Sequence, residues 1–236
     1  HKGKDKKNKV IFENNDDLNY FLMKGALNKN DAHVIRGAGV EIKELNSNNK
    51  KNKLPTVTLI ARMLKDKGVF EFVSAARIIN SEIIKGKFIL VGDNDPLNPT
   101  SIDIKTLEKW HDQEIVKWLG WVDNIDEILF DTDILCLPSY REGLPKALLE
   151  GAAMGLPIVT TNTVGCRDVV DDGINGFLVP VRNINLLAEK IETLINNASL
   201  RKEMGKKSYL LAKTKFSVNI INKQTLKIYD ELIGDD

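Results

Sequence analysis

The chain has 236 residues, is 42% hydrophobic and 28% charged, and carries a net charge of +1, which is the composition of an ordinary globular protein with room for one full α/β domain and a smaller piece. No apolar stretch approaches the ~18 residues that span a bilayer, and no signal-peptide pattern precedes the body, so a cytoplasmic protein is expected. Charge is uneven: residues 1–53 hold 12 Lys and Arg against 7 Asp and Glu, which leaves residues 54–236 at −4, but no aromatic-rich basic strand accompanies the Lys-rich start and nucleic acid is not an expected partner.

In chain order, Val10-Ile-Phe12 reads as a short strand, Asp16 to Leu27 as a helix capped by acidic residues, and His33-Val-Ile-Arg36 as a second strand. Residues 46–53 form a polar, Asn-rich linker without apolar period, and the domain boundary is placed there. Beyond Pro55 strands are predicted near 56–61, 87–91, 115–119, 133–137, 157–161 and 176–179, with helices between most of them, including Val69 to Asn80. Helices follow at Leu186 to Leu194, beyond Leu200, and near Val218 to Ile233. Six strands joined by crossover helices imply an α/β fold with a doubly wound, parallel, Rossmann-like sheet, because right-handed crossovers leave little other choice. In the last helix Ile220, Ile221, Leu226, Ile228, Tyr229 and Leu232 read as an amphipathic face.

Two strand-to-helix turns carry the chemistry. After the strand Asp133-Ile-Leu-Cys-Leu137, the segment Glu142-Gly-Leu-Pro-Lys-Ala-Leu-Leu-Glu150 places one carboxylate in the loop and another in a helix that starts near Pro145. Eight helical residues rise roughly 12 Å, well beyond the ~5 Å carboxylate spacing of a retaining glycosidase, so the pair is not a hydrolytic couple. Carboxylates that far apart can hold hydroxyls at opposite ends of one extended ligand, with the helix N-terminus between them facing phosphates. The plain alternative is a pair of solvated glutamates flanking a helix. After the strand Thr56-Val-Thr-Leu-Ile-Ala61, Arg62 and Lys67 bracket the next turn. Ligands of open parallel sheets bind outside the carboxyl ends of the strands, where an Arg fork and a mobile Lys charge suit a leaving diphosphate. A basic loop is also unremarkable in a chain with 34 Lys and Arg.

Other chemistries find less support. Cys136 and Cys166 lack metal-ligand spacing and read as a core residue and an incidental thiol. His1, His33 and His111 are scattered, without triad or zinc arrangement. The turn after the first main strand, Ala61-Arg-Met-Leu-Lys-Asp-Lys67, has no Gly-x-Gly-x-x-Gly, which argues against a nicotinamide-dependent oxidoreductase.

These two turns, taken with Leu90-Val-Gly-Asp93, Leu119-Gly-Trp-Val-Asp-Asn124, Pro138-Ser-Tyr-Arg-Glu-Gly-Leu-Pro145, Glu150-Gly-Ala-Ala-Met-Gly-Leu-Pro-Ile-Val159 and Asp172-Gly-Ile-Asn-Gly-Phe-Leu-Val-Pro180, resemble the C-terminal, donor-binding half of a family 4 retaining glycosyltransferase of GT-B fold. The match runs from about Leu54 to the end of the chain, with every motif in the family's order. The resemblance implies that Arg62 and Lys67 hold the donor diphosphate, that Glu142 lies near the donor sugar hydroxyls, and that Glu150 takes the ribose diol. It further implies that Gly143, Leu144 and Pro145 form the turn approaching sugar and diphosphate, and that the main chain around Trp121 and Val122 reads the base.

Under the same resemblance residues 1–45 are a remnant of the N-terminal acceptor domain, residues 46–53 the linker and residues 54–236 the nucleotide-sugar-binding domain. Arg36-Gly-Ala-Gly-Val40 is then the turn that crosses the cleft, and the last helix returns toward the N-terminal domain. A start on His1 rather than Met accords with a fragment. The implied activity is transfer of a sugar, with retention, from a uridine-linked nucleotide donor to a glycan or lipid-linked glycan in bacterial envelope polysaccharide synthesis. No cofactor beyond the donor substrate and no metal is expected, the acceptor is expected through the absent domain, and peripheral contact with the inner face of the cytoplasmic membrane is compatible. Val164-Gly-Cys-Arg-Asp-Val-Val170 looks like the subgroup acting on lipid-linked acceptors. The open alternatives are a nucleotide-sugar-binding module without activity and a GT-B-fold nucleotide-sugar epimerase.

Overall fold

A computed structural model describes residues 8–44, 54–81, 83 and 85–233; the predicted linker at 46–53 lies outside the described residues. The main body is a six-stranded parallel sheet of β3 (Thr56–Ile60), β4 (Lys87–Val91), β5 (Lys117–Trp118), β6 (Ile134–Leu137), β7 (Ile158–Thr161) and β8 (Gly176–Val179), in the order β5-β4-β3-β6-β7-β8. The strands are short apolar runs buried on both faces, as a sheet covered by crossover helices requires: Val57, Leu59, Leu90, Ile134, Leu135, Ile158 and Val159 are all fully enclosed.

The chain first winds outward through β3, β4 and β5, then returns to the other side of β3 and continues through β6, β7 and β8. Right-handed crossovers therefore put α2 (Val69–Ile79) and α3 (Ile104–Asp112) on one face and α4 (Ile125–Phe130) and α5 (Lys146–Ala153) on the other. An edge-on contact of Phe70 and Trp110, 5.2 Å between ring centres, ties α2 to α3. Two further helices, α6 (Ile184–Asn196) and α7 (Ala198–Leu211), pack against α2 and α5 respectively. The direction of winding reverses between β3 and β6, so the switch point of the sheet lies at their carboxyl ends.

Most predicted elements are present, with instructive differences. The strand expected at 115–119 pairs only at Lys117 and Trp118. The helix expected from Asp16 to Leu27 is α1 (Asn15–Met23), capped by Asn14, whose side chain accepts from the Asp17 N–H, rather than by the acidic residues, which fill its first turn. Pro145 is the cap residue of α5, one position before the first helical residue. Cys166, expected as an incidental thiol in a loop, is fully buried, and burial pushes its thiol pKa up, as it does that of Cys136.

The N-terminal segment is a separate two-stranded parallel unit of β1 (Val10–Phe12) and β2 (Ala32–Val34) joined through α1. Its continuation runs along the body: the Val40 N–H donates to the Phe216 carbonyl at 2.8 Å and the Val40 carbonyl accepts from Val218 at 3.0 Å. The final helix, α8 (Val218–Ile233), buries Ile221 and Ile228 against Ile35, with Leu232 alongside, while Leu226 and Tyr229 face solvent. Half of its predicted apolar face thus serves to hold the N-terminal segment.

One backbone approach brings the two central turns together. Gly68 takes the left-handed conformation at φ +73°, and a Cβ there would lie 2.1 Å from the Pro138 carbonyl oxygen. Substitution Gly68→Ala is expected to destabilise the fold by about 2–4 kcal/mol, combining backbone strain with overpacking, as measured by urea denaturation.

Candidate functional site

The turns after β3 and β6 meet at the switch point and are sewn together by main-chain bonds. The Asp66 carbonyl accepts from the Tyr140 N–H at 2.8 Å and from the Ser139 hydroxyl at 3.1 Å. The Ser139 carbonyl in turn accepts from the hydroxyl of Thr161, the last residue of β7. A second close approach adds the loop that follows β7: Gly165 sits at φ +78°, and a Cβ there would lie 2.5 Å from the carbonyl oxygens of Glu142 and Gly143. The Glu142 N–H donates to the Val164 carbonyl at 3.2 Å.

Within this frame Lys67 and Glu142 form an ion pair, with the Lys67 Nζ 2.6 Å from Oε1 and 2.7 Å from Oε2 of Glu142. Their side chains are 21% and 12% exposed, so the pair is largely shielded from water and each charge depends on the other. Gly143, Leu144 and Pro145 lead directly from Glu142 into the N-terminus of α5, which no side chain caps. Among the described residues neither the Gly143 nor the Leu144 N–H donates to another backbone carbonyl. Free N–H groups at a helix start beside an ammonium suit an anion.

The other predicted residues lie around this centre. Arg62, on the β3 turn, extends into solvent and pairs with Asp95 after β4 at 2.8 Å, rather than standing with Lys67 as a bare cationic couple. Glu150 lies on α5 one turn beyond Lys146 and pairs with it at 3.3 Å. It also lines a cavity of about 410 Å³ with Val40, Lys43, Asp126, Lys146 and Met154. The Trp121 N–H is held by Asp93 Oδ1 at 2.9 Å while its indole is exposed; Val122 is half-buried. A separate groove of about 1060 Å³, lined by Thr56, Arg77, Lys87, His111 and Lys117, opens at the opposite, amino ends of β3, β4 and β5, away from the switch point.

Several residues at the site escaped sequence reasoning. Asp95 follows the Gly92-Asp93 turn without a helical or strand period to single it out. Tyr140 donates from its hydroxyl to buried Glu71 at 2.6 Å and lies under Arg182, whose guanidinium is 4.8 Å from the ring centre; burial and the Glu71 bond hold its pKa above the usual tyrosine value. Asp168 lies in the loop beyond Gly165 with Oδ2 buried and unpartnered, and burial raises its carboxyl pKa against the opposing pull of Arg36. No group of three or more His, Cys, Asp or Glu that could hold a metal gathers among the described residues, nor is any helix there long and apolar enough to cross a membrane.

This architecture is that of GT-B glycosyltransferases. It superposes on HepE of Anabaena in complex with UDP with a TM-score of 0.82 at 22% identity, covering 95% of this chain and 64% of that one, and on a glycosyltransferase from Rickettsia africae with a TM-score of 0.83 at 20% identity, covering 98% and 65%. Residues 40–210 match the profile of the family described as glycosyl transferases group 1, and the chain belongs to that family. It is 32% identical over 226 residues to the N,N'-diacetylbacillosaminyl-diphospho-undecaprenol alpha-1,3-N-acetylgalactosaminyltransferase of Campylobacter jejuni, an alignment that covers 90% of this chain and 58% of that relative. It is 30% identical over 176 residues to the capsular polysaccharide biosynthesis glycosyltransferase CapM of Staphylococcus aureus, covering 75% of this chain and 46% of that one. The chain thus spans about half the length of these relatives.

The ion pair makes a testable demand. Lys67→Ala should destabilise the chain by about 1–3 kcal/mol, because it strands a largely buried carboxylate. The double variant Lys67→Met, Glu142→Leu should lose clearly less than the sum of the two single losses, as measured by a double-mutant cycle in urea.

Proposed function

We propose that this chain is the donor-binding part of a retaining glycosyltransferase that moves a sugar from a uridine diphosphate donor to a lipid-linked glycan in bacterial envelope polysaccharide synthesis. The observation that carries the reading is the Lys67–Glu142 pair at the switch point beside the open N-terminus of α5. A diphosphate seated there would draw Lys67 from Glu142 and take the Gly143 and Leu144 N–H groups. Lys67 and Arg62 would then balance the charge that builds on the diphosphate as the glycosidic bond to the donor sugar breaks. Glu142, released from the ammonium, would accept from donor sugar hydroxyls.

Glu150, held among the described residues only by an exposed lysine of its own helix, is the carboxylate for the ribose diol. The cavity beside it, toward Asp126, gives the nucleoside somewhere to lie, with the main chain at Trp121 and Val122 reading the base and Pro145 closing the turn. Metal-free donor binding fits a site whose counter-charges are Arg62 and Lys67. The acceptor would be bound by the portion of the relatives that this chain does not span, at the cytoplasmic face of the membrane. Two relatives support a lipid-linked or capsular acceptor by name. Because the chain spans about half of those relatives, the second reading is a nucleotide-sugar-binding module that turns nothing over by itself.

Calorimetric titration with UDP, GDP and ADP, with and without Mg²⁺, tests the reading. UDP is expected to bind selectively and without metal, and Glu150→Ala is expected to weaken it about tenfold, the loss of a charge-assisted contact of ~1.4 kcal/mol. Undiminished UDP affinity in that variant would remove the ribose assignment, and equal binding of all three nucleotides would remove the uridine assignment.

A further inference from the structure

The N-terminal segment reaches the β6–α5 turn at one buried point. Asn14 is completely buried, and its Nδ2 donates to the Gly143 carbonyl at 3.0 Å across 129 residues of chain. The same side chain caps α1, with Oδ1 accepting from the Asp17 N–H at 2.8 Å and Nδ2 also contacting Asp17 Oδ2 at 3.0 Å. Asp17 pairs with Arg141, and Asp16 pairs with Arg167 at 2.6 Å. The start of α1 is thereby fastened on both sides of the Glu142–Gly143 peptide. Glu13 presses against the same turn, since a Cβ at Gly143 would lie 2.2 Å from its Oε2.

The Gly143 carbonyl and the Leu144 N–H belong to one planar trans peptide. A bond that fixes the carbonyl therefore fixes where the N–H points. We propose that Asn14 is a positioning residue for the donor turn: it orients the Gly143–Leu144 peptide so that the Leu144 N–H faces the anion-binding position beside Lys67. The exposed ion pairs of Asp16 and Asp17 add little energy alone, whereas the buried amide sets both the helix cap and the peptide plane. The turn that carries Glu142 is thus completed by a residue from the N-terminal segment, and movement of that segment would be felt at the donor site. This inference rests on the donor-binding reading above for its ligand.

Asn14→Ser and Asn14→Thr both keep a hydroxyl acceptor for the α1 cap and both lack the amide Nδ2 that reaches Gly143. In the free chain, both variants are expected to fold and to melt a few degrees below the parent, because the Gly143 carbonyl loses its buried donor, while the residual dipolar coupling of the Leu144 N–H changes as its peptide plane turns. UDP affinity is expected to fall about fivefold, as for one buried neutral hydrogen bond. An unchanged Leu144 N–H coupling in both variants overturns the proposal, whatever UDP does. A changed coupling with UDP affinity within twofold of the parent overturns the claim that the peptide plane matters to the ligand. If the parent chain itself does not bind UDP, a changed coupling still supports Asn14 as the support of the turn and the donor reading is what fails.

Discussion

The shielded ion pair between Lys67 and Glu142 joins the two halves of the sheet where its winding reverses. An ammonium and a carboxylate that are only 21% and 12% exposed tolerate their dehydration only because each neutralises the other at hydrogen-bond distance. Everything near the switch point is arranged to keep them there. Gly68 lets the β3 turn touch the Pro138 carbonyl, Asp66 accepts from two residues of the β6 turn, and Gly165 lets the β7 loop lie on the main chain of Glu142. Such a pair is a poor source of stability, because an apolar replacement of the same shape would serve as well or better. On the proposed function it is a latent site: an incoming anion would take the ammonium while a polar ligand took the carboxylate.

The fold was legible because it rests on local patterns. Short apolar runs with Gly, Pro or Asp at their ends announce buried parallel strands, and the alternation of such runs with helices of 3.6 period leaves one sheet topology. Where pattern was thin the reading blurred. Around residues 115–119 only Lys117 and Trp118 pair as a strand, since β5 is an edge with a single neighbour, β4, and turns at Gly120, which takes a positive φ. The cap of α1 could have been found, because Asn14 directly precedes an acidic first turn.

The site was legible in part, and the division has a physical cause. Each of Arg62, Lys67, Glu142 and Glu150 follows a recognisable strand or starts a helix, so its end of the sheet could be inferred. Which charges pair could not, since pairing is set by the order of strands: Lys67 meets Glu142 because β3 neighbours β6, and Arg62 meets Asp95 because β3 also neighbours β4. The bond of Asn14 to Gly143 spans 129 residues, and nothing local in the sequence signals it. The membership of the chain in the glycosyl transferases group 1 family accounts for why these separate turns converge. The particular charges explain what that convergence can hold.

The most direct test is a crystal structure of this chain soaked with UDP. The account expects the diphosphate between the β3 turn and the N-terminus of α5, within hydrogen-bond distance of the Lys67 Nζ, with the Lys67–Glu142 contact opened and the ribose against Glu150. Nucleotide bound instead in the groove at the amino ends of β3 to β5, near Arg77, Lys87 and His111, with the ion pair intact, would contradict it.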